Sequence, residues 1–266
     1  MPRGSISRCC ISYVIQHKTF SSVTRLDDSK SESHLVPHKF YDLFINIMSE
    51  NRYTILDKDF SRELAKSLLD INAVVLRPND PFTWSSGWNS PIYCDNRLTL
   101  RYPKLRKEIS KALINVIKHE FGDTDVITGT ATAGIPHAAW VAENMDKPMA
   151  YVRAKAKAHG MGNQIEGGVD KGQKTVVIED LISTGGSAIS VVEALEFIGA
   201  EVEAVISIFT YGFDKAQKKF SEQTIPVYAL TDYPTLIDVA LETGAIQKEV
   251  VELLNKWRSN PEKWPN

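Results

Sequence analysis

Cysteine is scarce: there are three in 266 residues, two of them adjacent at Cys9 and Cys10. That number excludes a disulfide framework, and no Cys/His group has metal-ligand spacing, so the expectation is a protein of a reducing compartment. Charge of one sign is equally lacking, because 31 basic residues stand against 33 acidic ones for a formal charge of -2. No global field therefore draws nucleic acid, and any anion must be held by a local arrangement. No apolar run approaches the ~20 residues that cross a bilayer, and there is no internal repeat or low-complexity tract. The G-x-x-x-x-G-K-[ST] of P-loop nucleotidases and the G-x-G-x-x-G of dinucleotide folds are missing as well. What remains is a soluble chain long enough for one catalytic domain and a small appendage.

What is present is concentrated at residues 174–187. Thr175-Val176-Val177-Ile178 is an apolar β-branched run, the composition of a buried central strand, and Glu179-Asp180 is predicted to end it abruptly. Ser183-Thr184-Gly185-Gly186-Ser187 then supplies hydroxyls and flexible backbone, and Ala188 to Ala200 has the pattern of a helix. A strand, a turn rich in glycine and hydroxyl, and a helix N-terminus together offer unpaired N–H groups and a positive dipole end, the requirements of a phosphate site. Carboxylates repel phosphate, so the acidic pair needs its own reason. Carboxylates accept hydrogen bonds from hydroxyls, and a ligand with a phosphate beside a polyol such as ribose would satisfy both halves. The plainer alternative is a strand capped by a solvated acidic turn.

Residues 1–48 differ from the rest. Arg3, Arg8, His17, Lys18 and Arg25 precede the first acid, Asp27, and serines recur, which fits either an organellar targeting peptide or a leader included by an upstream start, with Met48 the alternative start. A disordered or dispensable extension is expected there. Hydrophobic spacing predicts helices over Phe60–Leu69 and Tyr102–Phe121, through Ala142, from Tyr211-Gly212 to about Phe220, from Tyr233, and over Ile246–Trp257. Strands are predicted at Ala73–Leu76, Asp125–Gly129, Pro148–Val152, Ala204–Phe209 and Pro226–Leu230, and residues 259–266 as a frayed tail.

Three further stretches carry alternatives. The aromatics of residues 82–88 are either core packing for a small subdomain or a lid over a flat substrate. The small residues from Gly129 to Pro136 make either a structural turn or a loop whose amides approach an anion. Arg153, Lys155, Lys157 and His159, followed by Gly160 and Gly162, form either a strand with one wet face or a basic loop that closes over a diphosphate.

Residues 176–187, Val-Val-Ile-Glu-Asp-Leu-Ile-Ser-Thr-Gly-Gly-Ser, resemble the phosphoribosyl-diphosphate signature of the type I phosphoribosyltransferases. Phe82, Thr83, Ser86, Gly87, Ser90, Pro91 and Tyr93 resemble the hood of the orotate phosphoribosyltransferase family, and Arg153, Lys157, His159 and Gly160 resemble its catalytic loop. The resemblance covers residues 52 to 255. Ser85, Ala154 and Thr210 depart from it, standing where many members have a lysine, a second lysine and an arginine, with Lys155 one place after Ala154 and Arg97 the nearest compensating cation.

The resemblance implies an α/β fold, a doubly wound and mostly parallel sheet with a small N-terminal hood subdomain. Its domain would span 49–258, with the hood drawn mainly from 60–100. It implies transfer of phosphoribosyl from 5-phospho-α-D-ribosyl 1-diphosphate to orotate, in pyrimidine biosynthesis, with Mg²⁺ carried on the donor and no metal ligand of the protein's own. Glu179 and Asp180 would hold the ribose hydroxyls. Ser183, Thr184, Gly185, Gly186 and Ser187 would hold the 5′-phosphate, with Leu181, Ile182 and, in the hood, Tyr93 among the other substrate-binding residues. Thr130, Ala131, Arg153, Lys157 and the partner's His159 would clamp the diphosphate in a cytoplasmic homodimer with shared active sites, organellar targeting by residues 1–48 being the alternative. Rival readings are a type I phosphoribosyltransferase for another nucleobase, a regulatory protein that binds the donor without turnover, and a purely structural protein.

Overall fold

The computed structural model describes residues 53–84, 86–154 and 164–264, which lie in one compact unit. Helix α1 (Lys58–Asp70) starts at Asp57, whose side chain accepts from the Phe60 amide at 2.9 Å, and it buries Leu64, Ala65 and Leu68. It packs on the last strand and the helix that follows it. Strands β1 (Val74–Leu76) and β4 (Ile92–Cys94) form an antiparallel pair, and β2 (Phe82–Thr83) and β3 (Asn89–Ser90) form a small hairpin. A 3₁₀ turn, Asn96–Arg101, leads to α2 (Pro103–Glu120), which has proline where a missing N–H costs nothing and buries Leu105, Ile109, Leu113 and Ile117 on one stripe.

The main sheet comprises β5 (Val126–Thr130), β6 (Met149–Val152), β7 (Ile165–Glu166), β8 (Lys174–Ile182), β9 (Glu201–Thr210) and β10 (Val227–Asp232), in the order β10-β9-β8-β5-β6-β7. Every pair is parallel except β6 with β7. Helices α3 (Gly134–Met145), α4 (Gly186–Phe197), α5 (Asp214–Gln223), α6 (Tyr233–Glu242) and α7 (Lys248–Ser259) complete the layers. Val176 and Ile178 of β8 join the apolar cluster that takes Ala138 and Val141 of α3, whereas Val177 and Ile182 join the one that takes Val192 and Leu195 of α4. Burial on both faces is why residues 175–178 of β8 read as an apolar β-branched run.

From β5 the chain moves outward to β6, then returns across β5 to lay β8 on its other flank. Helix α3, after β5, covers one face, and α4, after β8, covers the other. The connections leaving β5 and β8 thus diverge, and open α/β sheets hold ligands in the crevice at such a reversal of strand order.

Several expectations are corrected in detail. The acidic pair does not end β8. The parallel ladder continues through Leu181↔Phe209 and Ile182↔Thr210, because β9 is long enough to supply partners beyond the carboxylates. No helix starts at Tyr211. Residues 211–213 form a connector in which Gly212 adopts φ +64° and Thr210 Oγ1 accepts from the Gly212 amide at 3.1 Å, and α5 begins at Asp214. Where fraying was expected after α7, Pro261–Lys263 make a 3₁₀ turn, Trp264 packs on the core, and Lys215 Nζ pairs with Glu262 Oε1 at 2.8 Å.

The aromatics near residue 84 belong to a larger pile centred on Trp257, which is fully buried. Its ring lies 5.7 Å from Trp84, 5.7 Å from Tyr211, 5.4 Å from Phe213 and 5.6 Å from Tyr233, and its Nε1 donates to the Asn89 carbonyl at 3.2 Å. The terminal helix therefore holds the β2–β3 hairpin. Among the described residues no helix is long and apolar enough to cross a membrane.

Candidate active site

The site is built at the C-terminal ends of β5 and β8. Parallel register sets Gly129 against Ile178 and so brings Thr130 beside Glu179. On the other flank of β5, Thr130 pairs with Val152 and the Ala131 amide donates to the Val152 carbonyl at 3.0 Å, which places the loop next to Arg153. Arg153 is itself engaged, its Nε lying 3.2 Å from Glu166 Oε1. Three segments far apart in sequence thus meet: Thr130–Ala131, Arg153 and Glu179–Asp180.

Glu179 is 4 % exposed, and burial, reinforced by the Asp180 charge, pushes its carboxyl well above the ordinary carboxylate range. The Thr130 hydroxyl pulls slightly the other way, yet neither Thr130 Oγ1 nor Glu179 Oε2 completes a hydrogen bond among the described residues. A buried carboxyl oxygen and a buried hydroxyl without partners carry a desolvation cost that a ligand hydroxyl would relieve. Asp180 is partly exposed and is also raised by burial, with a side-chain hydrogen bond to Glu179, its own amide and the Arg97 charge opposing. Its backbone is fixed from the hood side, where buried Asn96 donates to the Asp180 carbonyl at 2.6 Å.

Beyond β8 the chain turns through Ser183 and Thr184 into α4. Gly185 occupies the N-cap at φ +74°, and no side chain caps the helix, so its first N–H groups are left for an external acceptor. The turn is held from below: a Cβ at Gly185 would lie 3.1 Å from the Phe220 ring of α5, and one at Gly186 would lie 3.4 Å from Lys219 Nζ. Lys219 therefore reaches toward the start of α4. Above the turn lies a cleft of about 650 Å³ whose lining includes Trp84, Trp88, Tyr93, Ser183, Tyr211 and Lys215.

The structure thus brings Glu179, Asp180, Leu181, Ser183, Thr184, Gly185, Gly186 and Ser187 to one strand end, with Thr130, Ala131 and Arg153 alongside and Tyr93 across the cleft. Ile182 offers no side chain to the site: it is buried in the core as the last residue of β8, paired with Thr210. Arg97 is a correction, because its guanidinium is held by Asp95 at 2.6 and 2.8 Å and does not line the cleft. Lys155, Lys157, His159 and Ser85 lie outside the described residues. Sequence reading missed Asn96, Lys215 and Lys219. The two lysines share one face of α5 by their i,i+4 spacing, a pattern common to solvated helix surfaces and so no signal of a site by itself.

Two consequences can be measured. A Cβ at Gly134 would fall 2.4 Å from the Ile178 carbonyl oxygen, because α3 meets β8 backbone to backbone. Gly134→Ala is expected to lose about 1–3 kcal/mol in urea unfolding, the usual cost of overpacking. His137, in the first turn of α3, is fully buried with neither ring nitrogen partnered among the described residues, and burial lowers its pKa to about 4. Because the unfolded chain then takes up the proton first, stability is lost as pH falls from 6.5 to about 4. At full extent the loss is about 3 kcal/mol. Urea midpoints across that window should fall less steeply in His137→Leu.

Comparison with known proteins bears on the same residues. The phosphoribosyl transferase domain family matches residues 100–234, which include the strand ends, the turn and α4. The orotate phosphoribosyltransferase of Listeria monocytogenes is 58% identical over 203 residues, covering 76% of this chain and 97% of that protein. That of Bacillus subtilis is 57% identical over 199 residues, covering 75% and 92%. Among solved structures, orotate phosphoribosyltransferase from Aeropyrum pernix superposes with a TM-score of 0.61 at 28% identity, over 69% of this chain and 99% of that one. A phosphate-type turn on a doubly wound sheet, matched over nearly the whole length of such relatives, means that this chain belongs to the orotate phosphoribosyltransferase family.

Proposed function

We propose that the chain transfers the 5-phosphoribosyl group from 5-phospho-α-D-ribosyl 1-diphosphate to orotate, releasing diphosphate and forming orotidine 5′-phosphate. The observation that carries this reading is the C-terminal part of β8, where buried Glu179 and partly exposed Asp180 are followed, after the turn at 183–185, by a helix start without a side-chain cap. The carboxyls suit the ribose 2′- and 3′-hydroxyls, which would supply the partner that Glu179 Oε2 lacks. The amides and hydroxyls of residues 183–187 suit the 5′-phosphate, and Lys219 adds a cation there. Thr130, Ala131 and Arg153 lie where the diphosphate would extend, with Lys157 and the partner's His159 completing the clamp in a homodimer.

In the reaction the bond from C1′ to the diphosphate oxygen breaks and the bond from C1′ to the orotate nitrogen forms. Positive character at the ribose is tolerated by the nearby carboxylates, and the departing negative charge is met by Arg153 and Lys157. The ring N–H proton of orotate leaves as the new bond to C1′ forms, and the departing diphosphate can accept it, so no side chain need act as the base. The described residues hold no group of three or more His, Cys, Asp or Glu suited to caging a metal. Mg²⁺ would be carried by the oxygens of the donor with the carboxylate pair nearby, a division common for this ion, and would neutralise charge on the leaving group.

The test is spectrophotometric consumption of orotate with the ribosyl diphosphate, with and without Mg²⁺, beside parallel assays of uracil and hypoxanthine. Turnover of orotate that needs both donor and metal is expected. Consumption of another base instead would reassign the acceptor, and donor binding without diphosphate release would make the protein regulatory. A cytoplasmic location belongs to the same reading, and fractionation of the full chain decides between it and an organelle addressed by residues 1–48.

A further inference from the structure

We propose that Lys215 is the counter-charge for the carboxylate of the base and the residue that selects orotate over uracil; this rests on the assignment of the reaction above. Orotate is a flat ring bearing a carboxylate, and carrying that charge into a cleft walled by indole and phenol rings is unfavourable unless a cation meets it. Among the described residues lining the cleft, Lys215 supplies the cationic side chain, and its Nζ stands 5.6 Å from the centre of the Trp88 ring.

The neighbouring arginines are committed elsewhere. Arg97 is clamped by Asp95, and Arg258 donates to the Tyr211 and Gly212 carbonyls at 3.0 and 3.3 Å. Thr210, at the end of β9, uses its hydroxyl on the Ile182 carbonyl and the Gly212 amide. Lys215, by contrast, has Glu262 as its one ion-pair partner among the described residues, and both side chains are about half exposed, at 54% and 49%. Such exposed pairs contribute little, so a substrate carboxylate can take the place of the Glu262 carboxylate at small cost.

The backbone of α5 keeps this lysine in register with the phosphate turn. Ala216 and Phe220 are buried against Gly185, while Lys219, one turn beyond Lys215, reaches Gly186. One helical face thus runs from the phosphate turn to the base cleft over about 5–6 Å between Cβ positions, comparable to the span of a pentose. Lysine rather than arginine suits this place, since a single compact ammonium can exchange one carboxylate for another.

The experiment compares the full chain with Lys215→Ala, Lys215→Arg and the same-helix control Lys218→Ala. Orotate and donor kinetics are measured for each, and uracil is followed as substrate or competitor. Removing one charge-assisted contact is expected to lower kcat/KM for orotate by about 10- to 100-fold, mainly through KM. Donor KM, uracil binding and thermal melting should hold, Lys215→Arg should recover most of the loss, and Lys218→Ala should match the parent. An orotate loss below about threefold in Lys215→Ala, or an equal loss for donor or uracil, overturns the role of Lys215 while leaving the reaction intact. Absence of orotate turnover in the parent protein instead overturns the reaction, and the inference falls with it.

Discussion

Asp180→Ala is expected to lower kcat by about 10²- to 10³-fold, the ordinary consequence of losing one group that acts on transition-state charge. The protein should stay folded. Asp180 is partly exposed, and its main chain is held independently by Asn96 through the Asp180 carbonyl. Glu179 is the less informative position, because it is buried and its replacement would change packing as well as chemistry. Lys157→Ala should lose rate to a similar degree through the other end of the reacting bond, and unchanged turnover would reject its assigned role. Mixing the two inactive proteins separates a shared site from a self-contained one. Recovered activity is expected if Lys157 and His159 reach into a neighbouring subunit, whereas mixtures that stay inactive count against exchange between subunits.

Trp257→Ala should cost about 3–5 kcal/mol in urea unfolding, the range for deleting a buried large aromatic. The loss is not confined to packing volume. Trp257 touches the rings of Trp84, Tyr211, Phe213 and Tyr233, and its Nε1 holds the Asn89 carbonyl in the β2–β3 hairpin. Trp84 and Tyr211 line the cleft, so the same substitution should raise KM for orotate in the surviving folded protein while donor KM changes less. Trp257→Phe keeps a ring in the pile and gives up the hydrogen bond, so it should cost less, about 1 kcal/mol from the bond itself plus the smaller volume change. Equal KM for orotate in Trp257→Ala and the parent would mean that the hairpin is positioned without the terminal helix.

The aromatics of residues 82–88 show how the two readings of one stretch can coexist. Trp84 packs on the core pile and also lines the cleft, where Trp88 joins it, so core packing and a wall for a flat ligand are provided by one short stretch. Composition alone does not separate them, because both roles ask for large flat side chains.

Local pattern carried much of the fold. An apolar β-branched run, carboxylates, a hydroxyl-rich glycine turn and an apolar helix follow one another in residues 174–197, and their order was sufficient to place a strand, a turn and a helix start. These are short-range features, set by side-chain chemistry and by periods of two or 3.6 residues. The length of β8, the burial of Glu179, the meeting of Thr130 and Arg153 with the acidic pair, and the position of Lys215 on the cleft were decided only in the folded chain. Each depends on parallel pairing between strands separated by a crossover, and on which flank of β5 the returning chain occupies. That information is distributed over contacts between distant segments, so no window of sequence contains it.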